Sequence, residues 1–272
     1  MSLNISVIIP LYNSSQTIKA CLQSLIKQSL ESEIIVVDDG SKDNTKSIIH
    51  SFAKVKLLTQ THQGPAAARN LGAQQAKGEI LVFVDSDMEF DQNFLADLTK
   101  PITTTQATGS WSGNEQVKNW DNLWARCWNY NQNRFSPQMT GSKGQRRVFR
   151  AILKSEFNRV NGFDSTGYTD DWSLVNKLGF KPTVTQAKFY HHNPDSLLTV
   201  FQKARWIGKR QYKLGKLGTL WTIIKANAGF SIIIGAAKAL VTKTPAFLIF
   251  KLVYDLGIML GALENLCFGF YY

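Results

Sequence analysis

"EILVFVDSDMEF", residues 79–90, runs five apolar residues straight into two aspartates separated by one serine. A short, unbroken apolar run rich in Val and Ile reads as a strand covered on both faces of a parallel sheet. Three earlier stretches have the same character, at residues 5–9, 34–37 and 55–58. Between the first two, Ile18, Cys21, Leu22, Leu25 and Ile26 recur at helical spacing behind Ser14 or Ser15 as candidate caps, and residues 65–76 are rich in alanine. The order β-α-β-α-β-α-β predicts an α/β chain with a doubly wound, mainly parallel sheet, since such crossovers are right-handed. Ligands of these sheets bind beyond the carboxyl ends of the strands. There the chain places "PLYNSS", "DDGSKD", "THQGPAAARN" and "DSD", so four strand ends converge on one polar site.

Composition bounds the function. The 272 residues are 44% hydrophobic, enough for one substantial core or one domain with an appendage. The net charge of +11 is uneven: residues 1–100 hold nine Lys/Arg and eleven Asp/Glu, whereas residues 201–251 hold ten basic and no acidic residues. That basic stretch interleaves with long apolar runs, which argues against nucleic acid and for an anionic membrane surface. Cys21, Cys127 and Cys267 are odd in number and far apart, which excludes a disulfide framework or a structural zinc site and predicts a reducing, cytoplasmic setting. The start "MSLNISVIIP" reads directly into a strand and lacks the flank of a signal peptide.

Beyond residue 100 the pattern changes. Residues 117–132 read as a helix, and the basic loop "TGSKGQRR", ending in Arg146 and Arg147, leads to a candidate strand at residues 147–152. A helix through Leu178, a strand in "TVTQAKFYHH" and the basic, helical C-terminal part follow. The expected division is a catalytic domain over 1–200, with a nucleotide-binding half to residue 100 and an acceptor-binding half after it, then an appendage over 201–272.

Four stretches, "SVIIPLYNSSQTIKACLQSLIKQS", "IIVVDDGSKDNT", "GPAAARNLGAQQAKGEILVFVDSD" and "GFDSTGYTDDWSL", together resemble glycosyltransferase family 2, the inverting nucleotide-sugar transferases of Rossmann-like GT-A fold. The resemblance covers roughly residues 5–200 with its landmarks in family order. It implies that Pro10 and Tyr12 line the nucleotide pocket, that Asp39 bonds the uracil edge of a UDP-sugar, and that Arg69 sits near base and phosphates. Asp85, with Ser86 beside it, would meet the ribose, and Asp87 a divalent metal, Mn²⁺ or Mg²⁺, that carries the diphosphate. Asp170 and Asp171 would match the family's acidic pair, with Asp171 the base and Trp172 beside it facing the acceptor. Glutamate is commoner at the first of these, so Asp170 is a mild departure. A histidine often completes the metal site, here His191 or His192; neighbours on a strand face opposite ways, and His191 is the choice. "QKARW" matches the Q-x-x-R-W pattern of processive members, which would make Gln202, Arg205 and Trp206 acceptor contacts, although the bundle of spanning helices those enzymes carry is not evident here.

Chemistry supports these roles apart from the resemblance. Expelling a nucleoside diphosphate needs charge stabilisation, which a hard cation on its phosphate oxygens provides, and such cations are bound through one or two carboxylates plus phosphates and water. An acceptor hydroxyl needs a carboxylate within hydrogen-bond reach to take its proton. Each feature also has a structural reading: paired aspartates cap turns and helix starts, acids suit a helix N-terminus, and Arg146 and Arg147 suit a solvated loop.

In the tail, residues 246–263 are long enough to span a bilayer but carry Lys251 and Asp255 four apart on one face. The expectation is therefore a helix lying in the headgroup region on the inner face of the membrane, suited to a lipid-linked or glycan acceptor, with a homodimer or domain interface as the alternative. Two other activities compete. A nucleotidyltransferase would attack at phosphorus, though "PLYNSSQT" is not its glycine-rich basic loop. A catalytically silent, membrane-bound nucleotide-binding module would tolerate loss of Asp87 or Asp171.

Overall fold

The computed structural model describes residues 3–138, 147–166, 170–210 and 212–269, and these divide into two compact units. The first unit comprises Met1–Gln116, Gln138–Ser165 and Asp170–His191; the second comprises Val117–Pro137, Thr166–Thr169 and His192–Tyr272. Sequence placed the division at residue 200. The segment 117–137 nevertheless groups with the C-terminal helices, because Cys127 and Trp128 are buried in their core.

The first unit is built on a sheet of eight strands: β1 (Ile5–Leu11), β2 (Glu33–Asp38), β3 (Val55–Thr59), β4 (Ile80–Phe83), β5 (Met88–Phe90), β6 (Gly109–Val117), β7 (Ala151–Leu153) and β8 (Thr183–His191). Their order is β3-β2-β1-β4-β7-β6-β8-β5. The first four pair in parallel, and β7 then pairs antiparallel with β4, so the sheet is mixed. Its helices are α1 (Ile18–Ile26), α2 (Thr45–His50), α3 (Pro65–Gln75), α4 (Phe94–Thr103), α6 (Lys154–Arg159) and α7 (Asp170–Leu178).

Period-two geometry explains the unbroken apolar runs. Val7, Ile9 and Leu11 of β1 enter one core with Ile18, Leu22 and Leu25 of α1, while Ile8 enters a second core with Ala66, Ala68 and Ala73 of α3. In β2 and β4 alternate residues are shared between the same two cores. Each fully buried aliphatic side chain contributes about 1.5–3 kcal/mol, which fixes the register and hence the positions of the strand ends.

Two boundaries differ from the sequence reading. Residues 109–117 are strand, so the helix expected from residue 117 begins at Leu123, where the Asn122 side chain accepts hydrogen bonds from the backbone N–H of Trp124 and Ala125. Helix α1 begins without a serine side-chain cap; Ser14 contributes its carbonyl oxygen to the Ile18 N–H instead.

The second unit packs α5 (Leu123–Asn131), α8 (Leu197–Gly208), α9 (Gly215–Lys225), α10 (Ala228–Val241) and α11 (Ala246–Phe268) around Trp128, Val200, Phe247 and Phe250. Helix α11 is long and apolar enough to cross a membrane, and 39% of its apolar window is buried within the protein. It meets α8 at backbone distance: a Cβ on Gly257 would lie 2.7 Å from the Phe201 carbonyl oxygen, and one on Gly261 would overlap the Arg205 carbonyl oxygen. Gly261→Val is therefore expected to destabilise this unit by about 3 kcal/mol, read as a lower Tm and an earlier denaturant midpoint. An unchanged melt would show that the two helices part without cost.

Candidate active site

The carboxyl ends of β1 to β4 carry most of the predicted residues. After β2, Gly40 turns the chain at φ 82°, a left-handed conformation that favours glycine. This turn leaves Asp39 beside the loop that follows β3. The Asp39 carboxylate is buried and takes four contacts: Gln60 Nε2 at 2.7 Å and the Gln63 N–H at 2.8 Å on Oδ1, the Gly64 N–H at 2.9 Å and His62 Nδ1 at 2.8 Å on Oδ2. His62 Nδ1 also shares a 3.1 Å hydrogen bond with the Asp39 carbonyl oxygen, and its ring lies tilted by 32° against exposed Tyr12, with centroids 4.4 Å apart. Pro10 lies within buried β1 opposite Val37, and Ser86 shares a 2.9 Å hydrogen bond with Ser14.

Arg69, on α3, is the hub of the second cluster. It is buried, and it reaches Asp85 Oδ1 through Nη2 at 2.9 Å, and Asp170 Oδ2 and Asp171 Oδ1 through Nη1 at 3.0 and 2.9 Å. Arg150, just before β7, holds the other oxygen of Asp85 at 3.2 Å. Burial works against charge at Asp85, yet Arg150 and Arg69 together hold its carboxyl below the ordinary range. At Asp170 burial prevails, helped by the neighbouring Asp171 charge, and the carboxyl is pushed up to about 7. Burial would lower Arg69, but Asp171, Asp170 and Asp85 raise it, so it stays charged. Three carboxyls thus face two guanidinium groups, and the most enclosed carboxyl holds a proton most readily. Asp170 and Asp171 open α7, where acids complement the helix dipole. The Asp171 side chain keeps 32% of its surface exposed and Asp170 only 4%.

A third group lies where Met88 of β5 pairs with His191 of β8. His191 Nδ1 is 2.9 Å from Glu115 Oε1, and Nε2 is 3.1 Å from Asp87 Oδ2. Nε2 is buried, and its direction does not complete a hydrogen bond. Burial disfavours charge here, but Asp87 and Glu115 push the imidazole up to about 9, so the metal-free ring carries a proton between two carboxylates. This donor set suits a divalent cation: a carboxylate and an imidazole nitrogen close together, with the second ring nitrogen oriented by an outer carboxylate. Among the described residues no group of three His, Cys, Asp or Glu is placed to hold a metal, so Asp87 and His191 would supply two donors and phosphate or water the rest.

Trp172 is half-buried on α7. In the helical unit Arg205 Nε is 2.5 Å from Glu264 Oε1, half-buried Trp206 packs against the helical core, and Gln202 is exposed. Arg146 lies outside the described residues, whereas Arg147 is exposed. Sequence reasoning missed Arg150 and Glu115, for which no motif gave a signal.

Residues 6–165 match the sequence profile of glycosyl transferase family 2. The chain belongs to that family. Among curated relatives of this family 2 chain, the uncharacterized glycosyltransferase YibD of Escherichia coli K12 is 34% identical over 129 residues, covering 44% of this chain and 38% of YibD. The glycosyltransferase GlyG of Streptococcus pneumoniae is 38% identical over 113 residues, 39% of this chain and 38% of GlyG. These matches thus span well under half the length of either relative. Among solved structures, Staphylococcus aureus TarS 1–349 in complex with UDP-GlcNAc superposes with a TM-score of 0.55 at 17% identity, over 99% of this chain and 93% of that one. The mannosyltransferase PcManGT of Pyrobaculum calidifontis, in complex with GDP-Man and Mn²⁺, gives 0.55 at 19% identity, over 94% and 88%. The family 2 chain therefore has the GT-A fold.

Proposed function

We propose that this chain transfers a sugar from a nucleoside diphosphate donor, a UDP-sugar by preference, to a hydroxyl of a glycan or lipid-linked acceptor, with inversion at the anomeric carbon. The observation that carries this reading is the meeting of Asp85, Arg69 and Asp171 within hydrogen-bond distance at the ligand-binding ends of β1 to β4. Tyr12, Pro10 and Asp39 receive the base, Asp85 and Ser86 the ribose, and Arg69 the phosphate side of the donor. Asp87 and His191 would hold Mn²⁺ or Mg²⁺, which neutralises the departing diphosphate when bound. Glu115, through Nδ1, sets the ring orientation that presents Nε2 beside Asp87.

Asp171 serves as base because it is the exposed member of the acidic pair and can meet an acceptor. Asp170 is enclosed and positions Arg69. Trp172, next to Asp171, lies on the acceptor side; an acceptor role for Gln202, Arg205 and Trp206 rests on the "QKARW" pattern alone. The catalytic domain extends to about residue 200, and the helices after it rest on the inner face of the membrane.

The reading is tested by offering UDP- and GDP-sugars with Mn²⁺ and an acceptor extract, and measuring nucleoside diphosphate release with and without chelator. Release should depend on the metal, and Asp87→Ala should abolish both it and metal-dependent UDP binding. Pyrophosphate as the product would establish a nucleotidyltransferase instead. UDP binding retained in Asp87→Ala in the presence of metal, with no turnover of any donor, would leave only a binding module.

A further inference from the structure

Within the helical unit, α10 is turned inside-out relative to an ordinary surface helix. On α10 the side turned inward carries Ser231 and Gly235, and Lys238 points inward to the Asn131 carbonyl oxygen. Ser231 Oγ donates to Asp255 Oδ2 at 2.7 Å, and Lys251 Nζ reaches Asp255 Oδ1 at 2.7 Å. The Lys251–Asp255 pair, expected from sequence as a polar stripe against headgroups, is instead buried and satisfied within the protein. What α10 turns outward is Phe230, residues 232–234, Leu240 and Val241, with Ile233 68% and Leu240 80% exposed. At 100° per residue these cover roughly 200° of the helix circumference.

Helix α9 repeats the inversion. Its exposed Leu217, Leu220, Trp221 and Ile224 fall at i, i+3, i+4 and i+7, while Thr219 is buried. An amphipathic stripe of this kind ordinarily faces a core. Here it faces outward, and the two helices meet at a 62° bend and are together long and apolar enough for a broken span.

We infer that the outward faces of α9 and α10 form a lipid-docking surface whose partner is an anionic bilayer. Charge decides between a bilayer and a second copy of the chain. Exposed Lys213, Lys216, Lys225 and Lys243 border the apolar faces, and residues 201–251 contain no acidic residue at all. A two-fold contact would set this face against itself, cation against cation, with no carboxylate from the segment to pair. Anionic headgroups supply the missing charge, and acyl chains cover the apolar faces. Lys225 lies 5.0 Å from the Trp221 ring centroid, an arrangement that suits the headgroup boundary, where one end of a tryptophan is wet and the other dry. The buried Ser231–Asp255–Lys251 group matches the rule that ionisable residues at membrane depth face inward and pair. This surface deepens the membrane placement proposed above and is independent of the sugar-transfer chemistry.

The test uses the full chain, purified in mild detergent and transferred to vesicles of pure phosphatidylcholine or of phosphatidylcholine with phosphatidylglycerol, then floated on a density gradient. The chain should float with the phosphatidylglycerol vesicles and less with the neutral ones. In Trp221→Glu/Ile233→Glu the floated fraction should fall about tenfold or more, with UDP affinity unchanged. Bromine-labelled acyl chains should quench the native tryptophan fluorescence, and Trp221→Phe, which disturbs the fold least, should remove part of that quenching. A chain that stays unbound with both vesicles, or a double variant that converts a dimer to a monomer without altering flotation, overturns the proposal; the second result would make the surface an interface between copies. Because UDP binding is measured on the same samples, failure here is distinct from failure of the glycosyltransferase reading.

Discussion

Asp171→Asn is expected to lower sugar transfer by about 10²–10⁴-fold while leaving UDP affinity nearly unchanged, the loss ordinarily seen when a positioned general base is removed. The substitution keeps the shape and an oxygen to accept from Arg69 Nη1, so the ion cluster is disturbed little. It removes the capacity to take a proton from the acceptor hydroxyl. The informative contrast is Asp170→Asn. That carboxyl is pushed up to about 7 by burial and by the Asp171 charge, a value that taken alone would recommend it as the base. It is buried, however, whereas the Asp171 side chain is 32% exposed, so in the proposed reaction Asp171 is the carboxylate within reach of a hydroxyl. Asp170→Asn should therefore retain most of the turnover. Steady-state kcat and KM beside calorimetric UDP binding decide the matter: full turnover in Asp171→Asn, or its loss only in Asp170→Asn, would move the base to the other residue.

Arg69→Met is expected to have the largest effect on stability. Removing one partner of a buried ion pair typically costs about 3–5 kcal/mol, and here one guanidinium serves Asp85, Asp170 and Asp171 together. The cost should depend on pH in a definite sense. The native Asp170 carboxyl lies near 7, above its ordinary 3.8, so its contribution is fully present below about 3.8 and is lost as pH rises through 7. Taking away Arg69 removes a cation that opposes this rise, so the folded-state value of Asp170 moves further up. The destabilisation should be greatest near pH 8 and shrink toward pH 5 as the cluster takes up protons. Urea titrations at the two pH values measure it. A pH-independent loss would show that Arg69 acts through packing, including its approach to the Phe163 ring, rather than charge.

The parallel half of the fold is legible because each of its strands is shared between two cores, which forces the unbroken runs of Val and Ile around residues 5–9, 34–37 and 80–84. The acidic landmarks at their ends follow once those strands are placed. The antiparallel half is legible only in part: residues 147–152 and "TVTQAKFYHH" read as strands and overlap β7 and β8, whereas β6 is not read at all. Strand β6 reads "GSWSGNEQV" and is only partly buried, so neither alternation nor an apolar run marks it, and β7 has three residues. Glu115 reaches the site from β6 and is invisible for that reason; Arg150, just before β7, lies in a stretch that reads as strand but carries no motif to single it out. The tail shows a different limit. A spacing of four puts Lys251 and Asp255 on one face, but periodicity cannot say whether that face looks inward or outward; Ser231, twenty-four residues before Asp255, settles it.

For the donor-binding role proposed for Asp39, the groups around its carboxylate bear on how a nucleotide would be chosen. A carboxylate has about four acceptor positions; Gln60, Gln63 and Gly64 donate to three, and His62 Nδ1, which bonds the Asp39 carbonyl oxygen, stands 2.8 Å from Oδ2 over the fourth. A base N–H that reached Asp39 would have to displace His62, the more exposed of the two side chains beside the carboxylate, from this position. One bond replaces another, so the contact adds little net enthalpy. A base without a suitable N–H leaves the tenant in place and loses its seat on Tyr12 as well. Selectivity at this pocket is then a contest between the base and the protein's own imidazole.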